Sequence, residues 1–152
     1  MPSSGKVFVM KKKICKWIAI SLGVLFIGIQ FMFVKRTNPP ITGEIQAPEK
    51  VMAILRRCCY DCHSNETKWP WYSYVAPVSW LVSDDVNDGR KHMNFSEWAD
   101  YNTKQKNHKT KKCGKLVTLS EMPLWFYLPL HPEAELLPED IETIVSWSKT
   151  SQ

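Results

Sequence analysis

Five consecutive residues, Cys59-Tyr60-Asp61-Cys62-His63, restrict this chain more than any other feature. Two cysteines at that spacing can each form a thioether to one vinyl group of a haem, and the histidine that follows falls beneath the iron. With five cysteines and four histidines in 152 residues, chance would produce the pattern in roughly 0.4% of such chains, so it calls for a chemical reading. The same letters could also serve as half of a zinc site or as a redox dithiol.

Compartment helps to separate these readings. Residues Trp17 to Val34 carry no charge, and only Ser21 and Gln30 among them have polar side chains. Eighteen residues at about 1.5 Å each give roughly 27 Å of helix, just enough to cross a hydrocarbon core. Lys6, Lys11, Lys12, Lys13 and Lys16 lie upstream, and Lys35 and Arg36 downstream. Positive charge stays on the cytoplasmic side. The expected organisation is a basic cytoplasmic N-terminus (1–16), a transmembrane signal-anchor (17–34), a linker (35–47) and an outer domain (48–152). That domain would face the periplasm from the inner membrane. A cleaved signal peptide is the competing reading, but the apolar run is longer than a usual h-region and no small-x-small site follows it. Cys15 precedes the run, where lipoprotein acylation is not expected.

The net charge of +5 misleads. Residues 1–36 hold seven basic and no acidic side chains, which leaves thirteen basic against fifteen acidic in the remainder. The basic balance therefore reports topology and gives no support to nucleic-acid binding. One basic run remains, Lys104 to Lys115 with six lysines. It reads as a solvated loop, with a docking patch for an acidic partner as the sharper alternative.

About 105 residues follow the linker, enough for one small domain. Pro48 begins a helical pattern with Val51, Ile54, Leu55 and Cys58 on one face, so the C-x-x-C-H element falls at a helix C-terminus. Pro77 to Arg90 predicts a second helix, with Val78, Leu81, Val82 and Val86 as apolar positions. Asn94-Phe95-Ser96-Glu97-Trp98 suggests a third, capped at Asn94 or Ser96. Pro138 onward predicts the last, with Ile141, Ile144, Val145 and Ser148 on one face. No run alternates like a strand, so the fold class is all-α. Phosphate-loop, dinucleotide and nucleophile-elbow patterns are absent.

The stretch from Cys59 to Trp98 includes W-P-W-Y-S (69–73) and A-P-V-S-W (76–80), and E-M-P-L-W-F-Y-L-P-L-H-P-E-A follows at 121–134. These segments resemble the small bacterial haem-binding domain family of mono-haem, cytochrome-c-like proteins, from about Pro48 to Trp147. The resemblance implies a small cytochrome-c-like helical domain behind one N-terminal transmembrane helix. It also implies one covalent haem c attached outside the cytoplasm, and a role in electron transfer.

On this reading Cys59 and Cys62 are the thioether positions and His63 the proximal iron ligand, its other ring nitrogen donating to a backbone carbonyl. Met122 beside Pro123 is the leading sixth ligand, because a thioether in a proline-restricted loop favours reduced iron. His92 and His131 are its rivals, and an open distal site is the remaining option. Trp69, Trp71 or Trp80 could pack on the porphyrin, and an indole N–H could bind a haem propionate. Arg56, Arg57 and Arg90 are further propionate candidates, against the blander reading that each is simply an exposed side chain. Cys58 and Cys113 are left over, and parity alone allows a disulfide between them.

The leading function is a membrane-anchored electron carrier, more a carrier than a catalyst, whose redox partner the sequence does not name. A haem enzyme or gas sensor with an open distal site is the second. The third is a zinc or dithiol protein using Cys58, Cys59, Cys62 and His63 or Cys113.

Overall fold

Six helices make up the regular structure of the computed structural model, which describes residues 4–150, with side chains from Met10 onward. They are α1 (Ser4–Ile29), α2 (Glu49–Cys58), a single turn α3 (Tyr60–His63), α4 (Val78–His92), α5 (Thr103–Thr118) and α6 (Pro138–Thr150). Among the described residues there is no strand, and Gly43 and Glu97 form an isolated parallel bridge. The domain is all-α, as the sequence pattern predicts. The first three residues of the expected basic N-terminus, and the side chains of 1–9, lie outside the described residues.

The chain divides into two units. The first comprises the residues up to Lys35 together with Pro70–Val82. Here α1 ends at Ile29, partway through the apolar run expected to span a membrane. From Trp17 to Ile29 the helix covers only about 20 Å, short of a hydrocarbon core of about 30 Å. Among the described residues no helix is long and apolar enough to cross a membrane. The physical reason lies in Gln30. Its side chain accepts from the Ala76 N–H at 2.9 Å and donates to the Ala76 carbonyl at 3.1 Å. The polar residue in the run is thus an anchor for the 70–77 segment, and the chain turns there. The apolar side chains of α1 nonetheless stand exposed, Trp17 at 67% and Phe26 at 50%.

The second unit comprises Arg36–Trp69 and Ser83–Gln152. Its core gathers Val51, Ile54, Leu55 and Cys58 from α2 with Tyr60, Phe95, Cys113, Val117, Ile144 and Trp147. The four predicted apolar positions of α2 are its four buried ones. Residues 36–47 are built into this unit rather than linking to it: Ile45 is 1% exposed and its N–H donates to the Phe95 carbonyl at 2.8 Å.

Two sequence expectations change. The lysine run is helix α5, started by a capping box in which Asn102 and Gln105 each bond the other's backbone N–H. Gly114 lets α5 lie close on α6, because a Cβ there would collide with the Ser148 side chain. Conversely, 94–98 is not a helix. The Asn94 and Ser96 side chains, read as caps, are buried and bond instead to Asn65, the second residue after the motif. A 3-10 turn over Trp98–Asp100 is all that forms there.

The exit from α5 is sharp. Ser120 adopts φ 54°, its N–H donates to the Val117 carbonyl, and the Glu121 N–H donates to the Leu116 carbonyl. This paired pattern closes the helix end on a left-handed residue. It directs residues 121–127, with Met122, away from α5.

Candidate functional site

The C-x-x-C-H element does not simply end one helix. Helix α2 stops at Cys58, Cys59 breaks the geometry at φ −127°, and one further turn carries Tyr60 to His63. The Cys62 and His63 N–H groups both return to the Cys59 carbonyl, at 3.2 and 2.9 Å. This compact turn keeps both cysteines and the histidine on a few ångströms of backbone.

His63 is oriented by the last turn of α4. Its Nδ1 lies 2.9 Å from the Gly89 carbonyl and 2.9 Å from the Met93 carbonyl. Both partners are acceptors only, so Nδ1 carries the proton and Nε2 holds the free lone pair. Among the described residues Nε2 has no hydrogen-bond partner of its own. The His63 carbonyl is held as well, by the Phe95 N–H at 2.7 Å. Burial of the ring lowers its pKa, with the two carbonyls opposing that trend. A neutral, tautomer-fixed imidazole is what a metal ligand requires.

Gly89 makes this approach possible. A Cβ at that position would stand 2.5 Å from the Cys62 carbonyl oxygen and 3.2 Å from the Cys62 Cβ. No sequence pattern singled it out. The next residue, Arg90, was one of the propionate candidates, with simple exposure as the blander reading. It is occupied otherwise: Nε donates to the Ser64 carbonyl, and its two terminal nitrogens reach Thr37, Asn38 and Thr67. Arg57 is likewise taken by Asp140 and the Glu133 and Glu135 carbonyls, and Arg56 by Glu44. The three arginines brace the loops around the motif.

All five cysteines are free thiols, so Cys58 and Cys113 are not bridged, although both are buried in the core. Burial pushes the Cys62 thiol up to about 12 and the Cys58 and Cys113 thiols to about 11, and raises Cys59 as well. A redox dithiol or zinc site depends on readily formed thiolates. Among the described residues no group of three or more His, Cys, Asp or Glu side chains is arranged to hold a metal ion. The ligand set proposed for zinc is therefore not assembled, whereas an axial haem ligand needs only the one nitrogen that His63 presents.

The distal candidates are placed differently from one another. Met122 lies in the partly buried start of the 121–127 segment, before a cis Pro123. Tyr127 ends that segment and donates its hydroxyl to Asp61 Oδ2 at 2.9 Å, inside the motif. His131 is committed elsewhere, stacked at 4.0 Å on Tyr127 with Nδ1 3.0 Å from Glu133 Oε1. His92 is exposed at the end of α4. Trp71 is 76% exposed and Trp80 36%, both in the first unit. Trp69 differs: its Nε1 is the one buried side-chain polar atom among the described residues that has no hydrogen-bond partner.

A buried donor left unpaired costs about 1–3 kcal/mol, so this indole N–H fits an acidic group entering from outside the chain. With a free imidazole nitrogen, two adjacent thiols and an orphaned donor six residues on, the residues present suit a haem. The model of the haem-binding domain family matches residues 24–150. The chain belongs to the haem-binding domain family. No curated protein and no solved structure matches it. The family match begins inside α1, well before Pro48, and so takes in Gln30 with the 70–77 segment it holds. The haem-binding domain thus embraces both units.

Replacing Gly89 by Ala is expected to cost about 1–3 kcal/mol, since the methyl group meets a backbone carbonyl that cannot rotate away. Urea unfolding of the haem-free protein measures it. An unchanged midpoint would mean that α4 is not packed on the motif as described.

Proposed function

We propose that this haem-binding domain is a c-type cytochrome carrying one haem through thioethers at Cys59 and Cys62, and that it transfers single electrons in the periplasm. His63 Nε2 is the proximal ligand and Met122 the distal one. The observation that carries the reading is the pair of carbonyls on His63 Nδ1, which leaves Nε2 as a fixed, uncharged donor. When bound, the haem supplies a one-electron iron couple. The chain's own work is structural. Gly89 and Met93 hold the imidazole, the core of the second unit keeps the site dry, and Trp69 offers its indole N–H to a propionate. Met122 is preferred to His131 because that ring is already stacked and hydrogen-bonded, and to His92 because it is exposed.

The exposed apolar side chains of α1 and the lysines before them support association of the N-terminus with the inner membrane, the haem domain facing outward. Alkaline extraction of the full chain tests this. The protein should stay with the membrane fraction, and release into the soluble fraction would refute the anchor.

Co-expression of the full chain with haem-attachment machinery tests the central assignment. The intact mass should rise by one haem and remain so in denaturant, and replacing either Cys59 or Cys62 by Ser should remove one thioether. Haem lost on denaturation would refute covalent attachment. In the loaded protein, Met122→Ala should abolish the thioether-to-iron absorption and lower the reduction potential by on the order of 100 mV. An unchanged spectrum would favour the open distal site of a haem enzyme or sensor.

Trp69→Phe separates the role of the indole N–H from its packing. In the haem-free protein the substitution should be neutral or stabilising by about 1 kcal/mol, because it removes an unpaired donor. In the loaded protein it should destabilise. Equal effects in both states, read by thermal unfolding, would deny Trp69 a contact with the haem.

A further inference from the structure

The Tyr127–Asp61 contact joins residues 66 positions apart and brings the end of the Met122 segment to the centre of the motif. Asp61 is one of the two residues between the cysteines, and each of its acceptors has a separate task. Its carbonyl takes the Thr67 hydroxyl at 2.7 Å, Oδ1 takes the Lys68 N–H at 3.0 Å, and Oδ2 takes the Tyr127 hydroxyl at 2.9 Å. The first two fold the 64–68 loop back onto the motif turn and fix the carboxylate in direction. The third oxygen is thereby aimed at Tyr127.

Tyr127 is equally constrained from its own side. Its ring stacks on His131 with an interplanar angle of 7°, and His131 is in turn held by Glu133. Arg57 bonds the Glu133 and Glu135 carbonyls, which ties this region to α2 just before the motif. At the other end, the left-handed Ser120 fixes where the segment leaves α5. Between these two anchors lie six residues, 121–126, in which Trp125 is 80% exposed. Six residues reach at most about 20 Å, so the position of Met122 depends on both anchors.

We propose that the Tyr127–Asp61 hydrogen bond is a latch that holds the 121–127 strap against the motif turn, making Tyr127 and Asp61 positioning residues for the distal ligand. Neither touches the iron. They act by restricting where Met122 can go, so that the distal face stays closed to small external ligands. This rests on the haem reading given above and deepens it, since it assigns control of the sixth position to a residue inside the C-x-x-C-H element itself.

The test compares the full haem-loaded chain with Tyr127→Phe and Asp61→Asn, with haem content read first in each. Tyr127→Phe keeps the stacked ring and removes only the donor. It is expected to bind imidazole at the ferric iron roughly tenfold faster than the native protein, with haem content unchanged and the thioether-to-iron absorption weakened. Asp61→Asn should shift both readouts in the same direction. In a Met122→Ala background the Tyr127→Phe change should add nothing, because the strap then carries no ligand to release. Limited proteolysis of the haem-free protein gives a second readout, with faster cleavage between 121 and 127 in Tyr127→Phe. Imidazole binding within twofold of native, with unchanged cleavage, would overturn the latch while leaving covalent haem intact. Absence of covalent haem from the native chain would instead overturn the haem reading, and the latch with it.

Discussion

The hydrogen bonds that fix His63 organise everything else at this site. A proton shared between the Gly89 and Met93 carbonyls sets the tautomer, the ring plane and the direction of the remaining lone pair. Those carbonyls sit at the C-terminal end of α4, where peptide dipoles leave partial negative charge. The same charge strengthens the imidazole as a donor through its N–H. Gly89 lacks the side chain that would separate α4 from the Cys62 backbone, and Phe95 secures the histidine from its carbonyl side. The loop after the motif is then closed by Arg90 and by the Asn65, Asn94 and Ser96 side chains. Buried polar groups are acceptable there because nearly all are paired. Trp69 Nε1 is the exception.

The chemistry of the thiols argues in the same direction. Cysteines 59 and 62 have their pKa values raised by burial, the opposite of what a disulfide oxidoreductase builds. A zinc site would need further ligands gathered round them, and none is arranged so among the described residues. Permanent attachment to a single flat ligand makes neither demand. It needs two thiols on one turn and one oriented nitrogen, which the break at Cys59 followed by the Tyr60–His63 turn provides.

How much of this the sequence disclosed depended on whether the signal lay in side chains or in backbone. Helix α2 was legible because its buried positions are apolar and regularly spaced. Helix α4 was legible as a helix but not in its face, since it buries Ser79, Ser83, Val86 and Gly89 and leaves the predicted Val78 and Leu81 exposed. Helix α6 buries Asp140 and Ser148 beside Ile144 and Trp147. Helix α5 was not legible, since its buried face is Thr110, Cys113, Gly114 and Val117, too small and too mixed to stand out against six lysines. Its capping box, Asn102 with Gln105, was present in the letters and would have revealed it. The apolar run 17–34 was legible as composition, but the role of Gln30 in ending the helix depends on a partner 46 residues away. The carbonyls facing His63 have no letter of their own, and Gly89 matters only for what it lacks. The partners of the arginines were hidden for a related reason: the carbonyls that Arg57 and Arg90 bond have no letter of their own.

The most direct measurement is of the histidine itself. Two-bond proton–nitrogen correlation spectra of the ring nitrogens in the haem-free protein, labelled with nitrogen-15, report which one carries the proton. The account predicts that His63 is held as the Nδ1–H tautomer, with Nε2 unprotonated at neutral pH and the Nδ1 proton protected from exchange with solvent. A proton on Nε2, or averaging between both nitrogens, would contradict it, because α4 would then not be aiming a ligand at all.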